Sequence, residues 1–224
     1  IPMIIAVYAE ADAEFRTIAD QALIEMGSGA VPFLLQELAN WQDLNSWLAI
    51  IKALAARLEG GMHRQVLVDS CLGQLSSLNE YRDLALVLRQ SELPALAELA
   101  ERRYREIVTL QMEACWAVLA SLYDPFVIDR VKGASQETDV ELRETSLEVL
   151  SEGLADRRLT RAMLDVLTYQ QNAGSNWDAD TAIRFLHGAQ GWNDYWLREI
   201  AAAALLRLEG GRAGGRTGDA ELTG

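Results

Sequence analysis

The sequence predicts an all-α fold made of stacked helix pairs, and three observations carry that expectation. An aspartate followed by apolar and small residues at helical offsets recurs along the chain. The composition favours helix, since Ala, Leu, Glu and Arg dominate and only 4 prolines interrupt 224 residues. No stretch alternates Val, Ile, Thr and Tyr between turn signals as a half-buried strand would.

The recurrence begins at Asp12, followed at offsets 3, 4, 7, 10 and 11 by Phe15, Arg16, Ala19, Ala22 and Leu23. Asp139 gives Leu142, Arg143, Ser146, Val149 and Leu150 at the same offsets, and Asp194 gives Leu197, Arg198, Ala201, Ala204 and Leu205. A weaker copy at Asp43 keeps Ile50, Ala53 and Leu54 but places Ser46 and Trp47 where the others have an apolar residue and an arginine. Offsets 3, 7, 10 and 11 share one face of an α-helix, so each copy is an amphipathic helix. Small residues at offsets 7 and 10 let a neighbouring helix come close. The leading Asp suits an N-cap, because its carboxylate accepts from backbone N–H groups of the first turn. Three copies in register and a degenerate fourth point to a repeat protein.

Return helices follow two of the copies. Met26-Gly27-Ser28-Gly29 stops the first helix, and Ala30 to Leu38 restarts with Pro32 in a first turn, where its missing N–H costs nothing. Gly153 to Asp156 is the turn after the third copy, and Arg157 to Tyr169 the return helix, with Leu159, Met163, Leu164, Val166 and Leu167 on its apolar side. Between Pro94 and Pro125 no Gly or Pro occurs, and Val108, Met112, Cys115, Leu119 and Leu122 form one stripe. That predicts one long helix or two nearly continuous ones, and a less regular middle of the molecule. The last strongly helical segment runs from about Asp194 to Glu209, so residues 1–209 are expected as one domain and 210–224 as a flexible Gly/Arg-rich tail. The apolar first nine residues are far short of a membrane span of about 20 residues and suit the end of a preceding helix.

The segments Asp12 to Leu38 and Asp194 to Leu205 resemble HEAT repeats, and the resemblance extends over most of residues 10–209. It implies a HEAT/armadillo-like solenoid, a right-handed α-α superhelix of about five antiparallel helix pairs, with a concave surface that takes extended peptides or other proteins. A looser similarity covers Leu122 to Pro125, Arg143 to Leu150 and Asp156 to Leu159. There the chain is similar to HEAT-rich cytosolic regions of bacterial membrane proteins fused to transporter-like domains, which implies a cytoplasmic location, alone or as the cytosolic part of a longer membrane protein.

Charge and chemistry narrow the function. Against 33 Asp plus Glu stand 20 Lys plus Arg, a formal net charge of −13. Such a surface repels phosphate backbones and anionic headgroups, so nucleic acid and direct membrane insertion are not expected. His63 and His187 have no ligand partner at helical spacing, so no metal is expected. Cys71 and Cys115 lie in apolar helical sequence and read as buried reduced thiols. No serine sits in a nucleophile elbow, and Gly27-Ser28-Gly29 lacks the lysine of a phosphate loop.

The expectation is therefore a non-catalytic interaction or regulatory scaffold without a cofactor, its partner a protein or peptide segment of basic or amphipathic character. The alternatives are a ligand-handling protein that resembles the HEAT-like phycobilin lyases, which needs a deep apolar cleft, and the cytosolic regulatory domain of a transporter. HEAT-like DNA glycosylases need a basic concave face, which the net charge opposes. Trp177, Trp192 and Trp196 fall in a Gly/Asn/Asp-rich stretch and are candidate partner anchors or, equally, plugs between the last helix pairs. Arg157, Arg158 and Arg161, and likewise Arg102, Arg103 and Arg105, are candidate anion contacts whose competing role is pairing with neighbouring carboxylates. Trp41, Trp47 and Trp116 are expected in the core, and Arg16, Arg143 and Arg198 in structural roles.

Overall fold

The structure, a computed structural model, describes residues 3–4, 12–41, 43–57, 63–136, 140–152, 154, 157–167 and 177–215. The expected start of the third repeat at Asp139, most of the turn 153–156 and the N-terminal segment 5–11 lie outside the described residues. Within them the regular structure is helical: α1 (Ala13–Glu25), a 3-10 turn (Ser28–Ala30), α2 (Val31–Ala39), α3 (Leu44–Ala55), α4 (Arg64–Gln90), α5 (Pro94–Leu122), α6 (Pro125–Ser135), α7 (Val140–Glu152), α8 (Arg157–Leu167), α9 (Ala179–Ala189) and α10 (Tyr195–Gly215). None of these helices is long and apolar enough to cross a membrane.

Periodicity alone predicts one stack. The contacts divide into two compact units, Ile1–Ser76 with Ile107–Gln170, and Ser77–Glu106 with Gln171–Gly224. The division falls inside α4 and α5, helices of 27 and 29 residues that are longer than a repeat helix. The Gly- and Pro-free stretch after Pro94 is thus one continuous helix.

The repeated aspartates do what their position predicts. Phe15 N–H donates to Asp12 Oδ1 at 2.8 Å, Ser46 N–H to Asp43 Oδ1 at 3.0 Å, and Leu197 N–H to Asp194 Oδ1 at 3.0 Å. Each satisfies a first-turn donor that has no partner within the helix. The offsets also translate into burial. Ala19 and Leu23, Ile50, Ala53 and Leu54, Ser146 and Leu150, and Ala201, Ala204 and Leu205 are all buried, while Ala22 and Val149, at offset 10 of the first and third copies, are half-buried. Offset 3 does not behave uniformly: Leu197 is fully buried, whereas Phe15 is 44% exposed.

In the first unit α1 and α2 pack on α3, and α6, α7 and α8 pack in sequence. Gly27 stops α1 with φ 67°, a left-handed conformation that glycine adopts freely, and its carbonyl accepts from Arg57 Nε at 2.8 Å. Pro32 occupies the first turn of α2. Trp47 is completely buried and donates its indole N–H to Ser70 Oγ at 2.9 Å, so its one polar atom is satisfied in the core. Trp116 is buried as well, and Trp41 half-buried. Leu159 and Met163 seat α8. Cys71 and Cys115 are free and buried. Hydrogen bonding to Cys71, reinforced by burial, holds the Cys115 thiol well above its ordinary pKa.

In the second unit α4 ends at a tight turn into α5. Leu93 N–H donates to Leu88 O at 2.9 Å and Glu92 N–H to Arg89 O at 3.2 Å, a Schellman-type closure. Glu92 takes the left-handed position usually held by glycine, with φ 58°. Arg89 forms an ion pair with Glu101 across the turn. α9 packs on α10, with Ala182, Leu186, Leu197, Ala201 and Ala204 inside. Glycine content predicts that the last helix ends near Glu209, yet α10 runs on to Gly215. Extending a formed helix costs only about 1 kcal/mol per glycine, and no proline blocks it.

Candidate functional site

The second unit carries the most distinctive surface. Asn193-Asp194 opens α10, and Asp194 does two jobs there. Its Oδ1 caps the helix, while Oδ2 accepts from Arg103 Nε at 3.0 Å and Nη2 at 2.7 Å. Arg103 Nη1 also donates to Glu106 at 3.0 Å. Burial alone would lower the Arg103 pKa; the bonds to Asp194 and Glu106 outweigh it and raise it above the ordinary value. This clamp ties the start of α10 to α5.

With that start fixed, Trp196 projects outward, 61% exposed, beside an open groove of about 400 Å³. Its apolar lining is Leu96 and Leu99 from α5 with Ile200 and Ala203 from α10. The charged lining is Arg102, Arg103, Glu106 and Glu199. Arg103 and Glu106 neutralise each other, which leaves Arg102 and Glu199 without an ion pair among the described residues. Tyr195 lies edge-on to Trp196 at 5.7 Å, and the Arg198 guanidinium sits 5.8 Å from the Tyr195 ring centroid. A second hollow of about 400 Å³, in the first unit, is lined mainly by alanines, and its Lys52 is paired with Glu113 at 2.5 Å. Among the described residues its lining holds no aromatic or large apolar side chain.

The other two tryptophans face inward. Trp192 lies 4.9 Å from Tyr81 and 5.7 Å from Phe185, and Trp177 lies 5.0 Å from Phe185. Together these four rings plug the space beside α9, with burial as the first cause of the raised Tyr81 pKa. Trp177 and Trp192 are half-buried, so of the three tryptophans only Trp196 is largely exposed.

The arginines separate in a similar way. Arg158 pairs with Asp69 at 2.8 Å. Hydrogen bonds from Gln65 and then from Arg158 lower the Asp69 pKa. Arg157 and Arg161 are exposed on α8 in the first unit. Arg105 is 3.6 Å from Glu101. Sequence reasoning named Arg102 as a candidate anion contact but missed Leu99 and Ile200 as groove residues, and it could not foresee that Arg103 and Asp194, 91 positions apart, hold the site together. Among the described residues no group of three or more His, Cys, Asp or Glu is arranged to hold a metal ion. Comparison with family models, with curated proteins and with solved structures returns no match.

Proposed function

We propose that this chain is a non-catalytic binding module, a HEAT-like stack of helix pairs that holds an amphipathic segment of a partner protein in the α5–α10 groove. The observation that carries this is the exposed Trp196 beside Leu96, Leu99, Ile200 and Ala203. An aromatic anchor at the edge of an apolar trough is the usual form of an interface hot spot. The recurrence of Asp-capped helices with small buried stripes supports the HEAT-like part of the proposal. The net charge of −13 favours a basic segment, whose apolar face would fill the trough while its cations meet Glu199 and the surrounding carboxylates.

The test is selection of helical peptides from a displayed library against the whole chain, followed by affinity measurement on variants. The selected peptides are expected to be basic and amphipathic. Trp196→Ala should weaken them by about tenfold or more, the loss typical of a hot-spot aromatic. Arg102→Glu should tighten them about two- to fivefold at low salt, the range of an exposed charge pair. Peptides that bind Trp196→Ala and the parent chain equally well would refute the proposal.

A further inference from the structure

Among the described residues of the second unit, the exposed large apolar side chains are Leu99, Tyr195, Trp196 and Leu206, all on α5 or α10. On α10 they belong to a longer pattern. Trp196, Glu199, Ala203, Leu206 and Gly210 follow one another at spacings of 3, 4, 3 and 4, which places them on one side of the helix, with Arg207 beside them. Ala203 is half-buried and the others are exposed, Leu206 to 76%. From Trp196 to Gly210 this stripe runs about 21 Å, at about 1.5 Å per residue.

The stripe is complementary to itself read backwards. When two copies of a helix run antiparallel about a two-fold axis, residues equally far from the axis in opposite directions share a layer. With the axis at Ala203, Trp196 shares a layer with Gly210 of the second copy, and Glu199 with Arg207 of the second copy. Each layer suits a contact. A Cβ on Gly210 would meet open space, so its bare backbone leaves room for an indole. Glu199 and Arg207 carry opposite charges, and the symmetry makes that pair twice. Ala203 meets Ala203, and two small residues at the axis let the helices approach closely. Leu206 shares its layer with Ile200, which already lines the apolar trough. The neighbouring registers lack this match, because they set Glu199 against Leu206 or Leu208 and lose both ion pairs.

We propose that this side of α10 is the docking surface for a second copy of the chain, in an antiparallel two-fold contact of α10 with α10 centred on Ala203. A stripe about 21 Å long on a helix about 10 Å wide falls short of the roughly 800 Å² per partner of a standard interface. The dimer is therefore weak, with a Kd on the order of 10–100 µM. A net charge of −13 on each copy adds repulsion, which salt screens, so association tightens as salt rises. The contact needs no other protein and does not rest on the peptide reading above. It does share Trp196 and Glu199 with the α5–α10 groove, so a second copy and a bound segment exclude each other.

The experiment is sedimentation of the whole chain from about 5 µM to about 1 mM, either side of that Kd. The parent is expected to dimerise. Glu199→Arg and Arg207→Glu each set like charges in one layer and should weaken the dimer about tenfold or more. The two variants change the net charge in opposite directions, so a general charge effect would tighten one and loosen the other. An equimolar mixture of them restores both opposite-charge layers and should associate within about threefold of the parent, inside the usual error of additivity for two sites. Both positions are exposed, and circular dichroism and thermal melts establish that the variants fold. A chain that stays monomeric at about 1 mM, far above the expected Kd, would overturn the proposal. So would a dimer that either single variant leaves intact, or a mixture that fails to associate. None of these outcomes alters the result of the peptide selection, so each reading can fail without the other.

Discussion

Replacing Asp194 separates its two roles. In Asp194→Ala the cap on α10 and both bonds from Arg103 disappear together. Loss of an N-cap costs about 1 kcal/mol. Loss of a charge-assisted pair that leaves a partly buried guanidinium unpartnered costs about 2 kcal/mol. The side chains are 24% and 11% exposed, so solvent screening takes away only a minor part. The sum, about 3 kcal/mol, corresponds to about 6–12 °C in the melting of this unit, at about 2–4 °C per kcal/mol for a chain of this size. Asp194→Asn keeps a side-chain oxygen for the cap, because Asn caps as well as Asp, and should lose only the second contribution. Urea denaturation of the parent, Asp194→Asn, Arg103→Ala and the double variant closes a cycle. The expected coupling is about 1.5 kcal/mol, and most of it should persist when NaCl is raised to about 0.5 M, since a partly buried pair is weakly screened. A coupling below about 0.3 kcal/mol, within the usual error of additivity, would refute the clamp. Equal stability of the Ala and Asn variants would show that the charge contributes nothing.

Two further outcomes follow from local chemistry. Glu92→Gly removes the left-handed penalty at the α4–α5 turn and should stabilise the protein by about 1 kcal/mol, visible as a higher urea midpoint with an unchanged slope. Alkaline pH should destabilise it. The folded-state pKa of Cys115 is raised from 9.0 and that of Tyr81 from 10.0, so above these values the unfolded chain releases protons that the folded chain retains. Stability should therefore be intact below about pH 9 and then fall by up to about 1.4 kcal/mol per pH unit for each such group. Cys115→Ala should flatten the first part of that fall in pH-dependent melts, and an unchanged slope would count against the thiol.

What was legible in the sequence is what local rules govern. The aspartate caps at 12, 43 and 194, the stop at Gly27, Pro32 in a first turn and the buried stripes at offsets 7 and 11 each depend on residues within one helix or turn. The uninterrupted α5 was legible for the same reason. Offset 3 was less so, because Phe15 and Leu197 share a position in the repeat but not the neighbours that would cover it. The site depends on partners distant in sequence. Trp192 is half-buried because Tyr81, more than a hundred positions earlier, faces it, and no spacing rule announces that pair. Trp196, four residues further on, is left exposed. The Arg102 to Arg105 run looked uniform in sequence, but the placement of Asp194 and Glu106 binds Arg103 and leaves Arg102 at the groove.

The two compact units are interleaved along the polypeptide, and this governs how the protein can be made. Residues 77–106 belong with 171–224, yet they are synthesised between the two halves of the other unit. A ribosome delivering the chain from its N-terminus releases residues 1–76 without their complement, which is complete only after residue 170. At about 5–20 residues per second that delay is about 5–20 s. During it the apolar stripes of α1 to α4 have only each other to bury against, so the nascent chain is expected to need a holdase or to collapse transiently. For the same reason, no single cut in the gene yields two autonomous pieces. A fragment ending near residue 106 would contain neither unit whole.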